Sequence, residues 1–181
     1  FHVLVGGWAL IALGVAWLLL RGRGAPPLFQ LIPAAILGAA LAIPSVWFAL
    51  QLDLHADPET VAAANQIYVY ERLAHHLVLS GMKPEFIARF AVLVVFGVGL
   101  ALAVRRTPPI RNVVAFGSGA LAIALVGTVL STAGEFAPDV MAGMLRFYWF
   151  RLADVIVPLC VALLVIVRVM QSLSVNPVRG S

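Results

Sequence analysis

The chain has 181 residues, of which 62% are apolar and only 11% are charged, and its mean hydropathy is +1.03. Soluble domains are roughly 45–50% apolar and about 25% charged. A chain of this size cannot bury so much apolar surface in a core of its own, which excludes a soluble globular protein and a disordered one. The composition therefore predicts an integral membrane protein of the all-α class.

Five apolar stretches are long enough, or nearly so, to cross a bilayer, since a crossing helix needs about 20 residues. They lie at residues 3–20, 28–52, 86–104, 113–130 and 152–169. The sequence therefore predicts one transmembrane domain over residues 1–181, a polytopic helix bundle of about five spans. Small residues within the spans, such as Gly97, Gly117 and Gly119, permit close packing of these helices.

The connections between the spans alternate in charge. The short connections and the C-terminal tail are basic and contain no acidic residue: Arg21, Arg23, Arg105, Arg106, Arg111, Arg168 and Arg179. The longer loops, residues 53–85 and 131–151, contain with the adjacent span ends all eight acidic residues. The positive-inside rule then predicts a bacterial inner membrane protein with a cytoplasmic C-terminus and both longer loops outside. Because the net charge of +4 follows this topology, we expect membrane lipid as a partner and no nucleic acid.

The first outward loop contains the pattern of an amphipathic, interfacial helix. Asp57-Pro58-Glu59 is typical of a helix start, with a capping carboxylate, a proline at the first helical position and an acid in the first turn. Over residues 67–78 a helical wheel separates two faces. The apolar face has Ile67, Tyr70, Leu73, Ala74, Leu77 and Val78, and the polar face has Tyr68, Glu71, Arg72, His75 and His76.

The polar face of this helix favours acid/base chemistry as one interpretation. Glu71 and His75 are four residues apart and can touch on a helix, which would make them an acid/base pair, with Asp53 as a second candidate base. Arg72 and His76 have the same spacing and could hold an anion such as a phosphate. The alternative interpretation is the solvated polar face of a surface helix.

Metal binding is a third interpretation of the same loop. Asp53, His55 and Asp57 could supply ligands, with Glu71 and His75 completing the site. The spacing matches no established zinc pattern, and Asp57 is better explained as a helix cap. We therefore assign no metal from the sequence.

The second outward loop ends in a run from Arg146 to Asp154 that combines arginines, aromatic residues and an acid. On a helix, Arg146, Phe150 and Asp154 would share one face, and Arg151 would lie one turn from Asp154. Asp154 would then be about one turn inside an apolar span, where an ionisable group is costly and usually faces a partner. Arg146, Arg151 and Asp154 are therefore candidates for binding an anionic or lipid-linked substrate, and a structural ion pair with an aromatic anchor is the alternative.

Two segments carry a resemblance. Glu71-Arg72-Leu73-Ala74-His75-His76 and the run from Arg146 to Asp154 resemble the C-terminal part of a family of large multi-pass bacterial membrane proteins, common in planctomycetes, with a domain of unknown function. The resemblance extends over residues 50–165, and the plan of these proteins is similar to that of GT-C glycosyltransferases. It implies lipid-linked sugar substrates and acidic catalytic residues on outward loops. The key acid of that fold usually lies in the first outward loop, which we expect this chain, beginning at Phe1, to lack as a fragment of a longer protein.

The leading functional hypothesis from the sequence is a membrane-embedded transferase that acts on a lipid-linked or polymer substrate at the extracytoplasmic face. Glu71 or Asp53 would be the base and His75 a proton relay. The phosphate contacts would come from Arg72, His76 and Arg151. A transporter or export subunit, in which the same groups line a substrate path, and a structural membrane component are the alternatives. The sequence indicates no cofactor and no oligomeric state.

Overall fold

The computed structural model describes residues 3–25 and 27–175, without the side chains of some of these residues, Asp53 and His55 among them. In chain order the elements are α1 (Val3–Leu20), α2 (Leu28–His55), α3 (Pro58–Gln66), a π-helix (Ile67–Arg72), α4 (Ala74–Leu77), a short 3-10 helix (Leu79–Gly81), α5 (Pro84–Ala103), α6 (Pro108–Gly134), α7 (Pro138–Leu145) and α8 (Arg151–Val175). Within the described residues all regular structure is helical, which confirms the predicted all-α class.

The five long helices coincide with the five predicted apolar stretches. Three of them are long and apolar enough to cross a membrane: α5, α6 and α8 up to Ser174. In α1 and α2 the apolar helical stretches found among the described residues are shorter, Leu4–Leu20 and Phe29–Ala40. The three long apolar helices agree with the predicted integral membrane protein, while the number of five spans stays a prediction.

Small residues bring the helices together around α6, which packs against α1, α7 and α8. A Cβ atom at Gly119 of α6 would lie 2.6 Å from the carbonyl oxygen of Ala12 in α1. A Cβ atom at Gly117 would lie 3.0 Å from the sulfur of Cys160 in α8, and one at Gly97 of α5 would lie 2.8 Å from Val161. The prediction that glycines permit close helix packing is therefore confirmed at these positions.

The predicted helix start in the first loop is also confirmed. The carboxylate of Asp57 accepts hydrogen bonds from the backbone N–H of Thr60, at 3.0 Å, and from its hydroxyl, at 3.1 Å. Pro58 occupies the first position of α3, and Glu59 lies in the first turn. This local pattern needs no tertiary contact, which is why the sequence alone predicts it.

The two ends of the bundle differ in charge. We call residues 21–25, 104–111 and 168–175 the basic end. There Arg111 lies beside Gly24, and the amide of Gln171 in α8 bonds the backbone N–H and C=O of Arg105, at 3.0 and 3.4 Å. We call residues 56–83 and 135–151 the irregular end, which contains acids, histidines and arginines. Which end faces the cytoplasm stays a prediction.

Candidate functional site

Apolar side chains fix the segment from the π-helix to Met82 across the irregular end. Val69, Leu77 and Val78 are buried together with Leu145 of α7. The backbone N–H of Leu79 donates a hydrogen bond of 2.7 Å to the hydroxyl of Ser131 in α6. Met82 then packs against the core cluster that contains Phe150 and Ala153. The segment is therefore held over the ends of both α6 and α8.

The predicted continuous helix over residues 67–78 is wrong in its first half, because the chain forms a π-helix there. The backbone N–H of Leu73 donates to the carbonyl of Tyr68, five residues earlier, at 3.1 Å. This wider turn rotates the side chains. Ile67, predicted on the buried face, is 46% exposed, whereas Val69 is fully buried. The exposure predicted for the four charged or imidazole side chains is confirmed for Glu71, Arg72, His75 and His76.

Two tyrosines join the π-helix to the turn before α8. The hydroxyls of Tyr68 and Tyr148 lie 2.7 Å apart, and their rings meet edge to face at an angle of 72°. Tyr148 has a φ of 57°, a left-handed conformation that is uncommon for an aromatic residue and indicates that the surrounding contacts hold it there. Partial burial, followed by the hydrogen bond to Tyr148, raises the pKa of Tyr68 to about 12. Tyr68 is therefore protonated at neutral pH and keeps this hydrogen bond.

This arrangement places His76 over the start of α8. The rings of His75 and His76 lie 4.2 Å apart between centroids. Partial desolvation lowers the pKa of His76, and the nearby charges of His75 and Arg151 lower this pKa further, while the carboxylate of Asp154 acts in the opposite direction. His76 is therefore mainly neutral at pH 7 and can accept a proton. Three predicted site residues from two separate loops, His76, Arg151 and Asp154, therefore lie within electrostatic range of one another, while no hydrogen bond or ion pair joins them among the described residues.

The charged residues of this cluster continue into an apolar strip along α8. Arg151 and Asp154 are both exposed on one face of the helix. Val155 and Leu159 follow on the same face and are 58% and 52% exposed. The face therefore begins with charged groups and continues with hydrocarbon, which matches the shape of a molecule with an anionic head and an apolar tail.

Two other predicted residues, Glu71 and Arg72, do not join this cluster. In the part of the chain that the structure describes, no hydrogen bond or ion pair joins Glu71 to His75. Arg72 acts electrostatically on the hydroxyl of Tyr68. The side chain of Asp53, the second candidate base, lies outside the described residues.

Arg146 is also separated from the cluster. The residues between α7 and α8 form a turn and not a helix, so the prediction that Arg146, Phe150 and Asp154 share a helical face is wrong. The guanidinium of Arg146 donates instead to the side-chain oxygen of Asn65 in α3, at 3.2 Å. The left-handed Tyr148 turns the chain between the two positions.

The interpretation of the first loop as a metal site gains no support from the described residues. Among them no group of three or more His, Cys, Asp or Glu side chains is placed to hold a metal ion. Asp57, Glu71 and His75 therefore form no such site by themselves, and the side chains of Asp53 and His55 lie outside the description.

Sequence reasoning missed the role of the tryptophans at the irregular end. The indole N–H of Trp8 in α1 donates to the carbonyl of Phe147 at 2.6 Å, and its ring lies 4.4 Å from that of Trp149 between centroids. A Cβ atom at Gly127 would clash with the Cβ of Trp149, so this glycine makes room for the indole. Trp149 is thus packed into the bundle, whereas its apolar surroundings in the sequence suggested an anchor facing lipid.

Comparison of the chain with family models, curated proteins and solved structures finds no significant match. The resemblance described from the sequence therefore stays a prediction, and the functional argument rests on the geometry of the irregular end.

Proposed function

We propose that this chain forms the head-group site of a membrane-embedded transferase that acts on a lipid-linked, anionic substrate at the extracytoplasmic face. The observation that supports the proposal is the electrostatic influence of Arg151 and Asp154, at the start of α8, on His76 from the first loop. A proton acceptor, a cation and a carboxylate are gathered where an apolar helix begins, which is the depth at which a lipid-linked phosphate would lie.

Each residue of the cluster has a distinct role in the proposed reaction. Arg151 binds the phosphate, because a guanidinium makes charge-assisted, bidentate hydrogen bonds with phosphate oxygens. His76 takes the proton from the attacking hydroxyl of the acceptor, and Asp154 stabilises the imidazolium that results. The acceptor oxygen forms a bond to the transferred group as the bond between that group and the phosphate oxygen breaks. The phosphate leaves with the electron pair and stays bound to Arg151.

The base is therefore reassigned from Glu71 to His76. Glu71 is exposed on the π-helix, whereas His76 lies within electrostatic range of Arg151 and Asp154 at the start of α8. The lipid-linked nature of the substrate is supported by the apolar strip of Val155 and Leu159, along which an isoprenoid or acyl tail can lie.

Binding of farnesyl phosphate to the full chain in nanodiscs tests the substrate class. We expect Arg151→Gln to weaken this binding about tenfold or more, the usual effect of losing a hydrogen bond to a charged group. Arg89→Gln is the matched control, because Arg89 is an exposed arginine near the start of α5, and it should bind normally. Farnesol, which lacks the phosphate, should bind the wild type weakly. Equal binding by Arg151→Gln and the wild type would contradict the proposal.

Transfer of labelled glucose from a polyprenyl phosphate carrier tests the chemistry separately. His76→Gln should reduce the rate by about 10²–10⁴-fold, as expected for loss of a general base, and should leave farnesyl phosphate binding unchanged. Glu71→Gln is the control and should keep its activity. If the wild type binds the lipid but transfers nothing, a transporter or export subunit is favoured. If binding is unchanged in every variant, a structural membrane component is favoured.

A further inference from the structure

The basic end carries a charged cluster that the proposed function does not use. Arg21 and Arg23 are exposed on the turn after α1, and Arg111 is partly buried in the first turns of α6. Gly22 and Gly24 have φ values of 79° and 96°, a conformation that favours glycine, and they bend the turn back over α6. Because Gly24 lies beside Arg111, the turn that carries Arg21 and Arg23 is next to Arg111 at one corner of the bundle.

Arg111 is short of hydrogen-bond acceptors in this corner. Its Nη2 atom lies 3.8 Å from the position of a Cβ atom at Gly24, so the turn covers one side of the guanidinium. Its Nε atom is buried and has no hydrogen-bond partner among the described residues. A buried donor without an acceptor is costly, which indicates that the protein itself does not complete the surroundings of this cation.

Among the described residues, this end also contains no acidic side chain. The sequence has no acidic residue in positions 1–52, in 86–134 or after 154. The amide of Gln171 bonds the backbone of Arg105 and leaves its charge uncompensated. The guanidinium of Arg21 lies 5.6 Å from the centre of the Trp17 ring, a contact that orders it through cation–π attraction without neutralising it.

We propose that Arg21, Arg23 and Arg111 bind the phosphate of an anionic phospholipid at this corner. A lipid is favoured over a soluble phosphate because Leu18 and Leu19, directly before the turn, are 61% and 51% exposed and offer a surface for acyl chains. Clusters of basic residues next to a span attract anionic lipids in this way. The site lies at the end of the bundle opposite to His76, so its test is independent of the proposed transferase.

Binding of fluorescent phosphatidylglycerol to the purified full chain in a neutral detergent tests the site. The wild type should bind phosphatidylglycerol in preference to phosphatidylcholine. Arg111→Gln and Arg23→Gln should each weaken phosphatidylglycerol binding about fivefold, and Arg23→Gln keeps the test valid if loss of the partly buried Arg111 disturbs folding. Arg168→Gln is the matched control, since Arg168 is exposed on α8 and not on this turn, and it should bind normally.

Three results would overturn the proposal. Equal binding of phosphatidylglycerol and phosphatidylcholine would show that the site does not select an anionic lipid. Loss of binding in Arg168→Gln as large as in Arg23→Gln would show a diffuse charge effect in place of a defined site. If inorganic phosphate binds to these arginines while phosphatidylglycerol binds no better than phosphatidylcholine, the corner is a site for soluble phosphate.

Discussion

The two ends of the helix bundle differ in the signs of their charged residues and in the regularity of their backbone. At the basic end all charged residues of the short turns are arginines, and the sequence has no acidic residue in these turns. At the irregular end the connections fold into short helices, a π-helix and the left-handed turn at Tyr148, and they bring charges of both signs together. Irregular backbone of this kind concentrates at functional sites, because it aims side chains that a regular helix would not bring together. The difference is that side chains of opposite charge lie near one another at the irregular end, whereas the arginines of the basic end have no acidic residue nearby in the sequence.

A substitution at the contact between Gly127 and Trp149 should destabilise the irregular end more than the other changes considered below. Gly127→Val places side-chain atoms where the Cβ of Trp149 lies, with Gly127 in the packed helix α6 and Trp149 in the turn that leads into α8. Overpacking of this kind costs typically about 1–3 kcal/mol, and we expect the upper part of that range, measured as the free energy of unfolding in detergent.

Gly14→Val is the matched control for this change. Gly14 lies in α1 and has nothing within 4 Å of its Cβ position, so the same substitution should be close to neutral there. A loss of stability at Gly14 equal to that at Gly127 would mean that valine acts through the helix itself and not through the packing of Trp149.

The hydrogen bond between Tyr68 and Tyr148 should make the stability of the irregular end sensitive to alkaline pH. The pKa of Tyr68 is raised from 10.0 to about 12 in the folded chain, so its contribution to stability is complete below pH 10 and is lost as the pH rises from 10 to 12. Thermal unfolding between these values should show the loss in the wild type. In Tyr68→Phe this dependence should become smaller, with about 1 kcal/mol lost at neutral pH. A part of it should remain, because burial also raises the pKa of Tyr70.

A control for the alkaline experiment exists at the basic end. Gln171→Leu removes the contact of α8 with the backbone of Arg105, which contains no titrating group, so it should leave the alkaline loss intact. If Tyr68→Phe retains the full alkaline loss, Tyr68 is not its source.

The pKa of His76 gives the smallest and most specific readout. It lies below the ordinary value of 6.5, so the folded chain loses stability as the pH falls below 6.5, where the unfolded chain binds the proton first. Histidine NMR should show this pKa falling further in Asp154→Asn and rising in Arg151→Gln, because the two charges act in opposite directions. Shifts of the same sign in both variants would contradict the assembled cluster.

The sequence predicts the helices of this chain well, because length and hydropathy are local properties. The boundaries of α1 agree with the prediction, and the cap at Asp57 is read from three adjacent residues. The π-helix is different, since Val69 is buried by contacts with residues about 70 positions away, such as Leu145. No periodicity in residues 67–78 contains that information.

The sequence could predict the individual residues of the candidate site but not their arrangement in space. His76, Arg151 and Asp154 are each conspicuous as polar groups beside apolar stretches. Their proximity depends on the packing of Leu77 and on the turn at Tyr148, which interrupt the two helices that the sequence predicts there. The acid/base pair inferred from helical spacing, Glu71 with His75, is accordingly not formed by a hydrogen bond among the described residues.

The π-helix makes the site depend on the number of residues as well as on their identity. It holds one more residue per hydrogen-bonded turn than an α-helix would, as shown by the bond from Leu73 to Tyr68. Deleting a single residue between 67 and 72 would permit an ordinary α-helix and would rotate everything that follows by about 100°. His76 would then turn away from Arg151 and Asp154, so a chain that is one residue shorter in this segment should lose the proposed site.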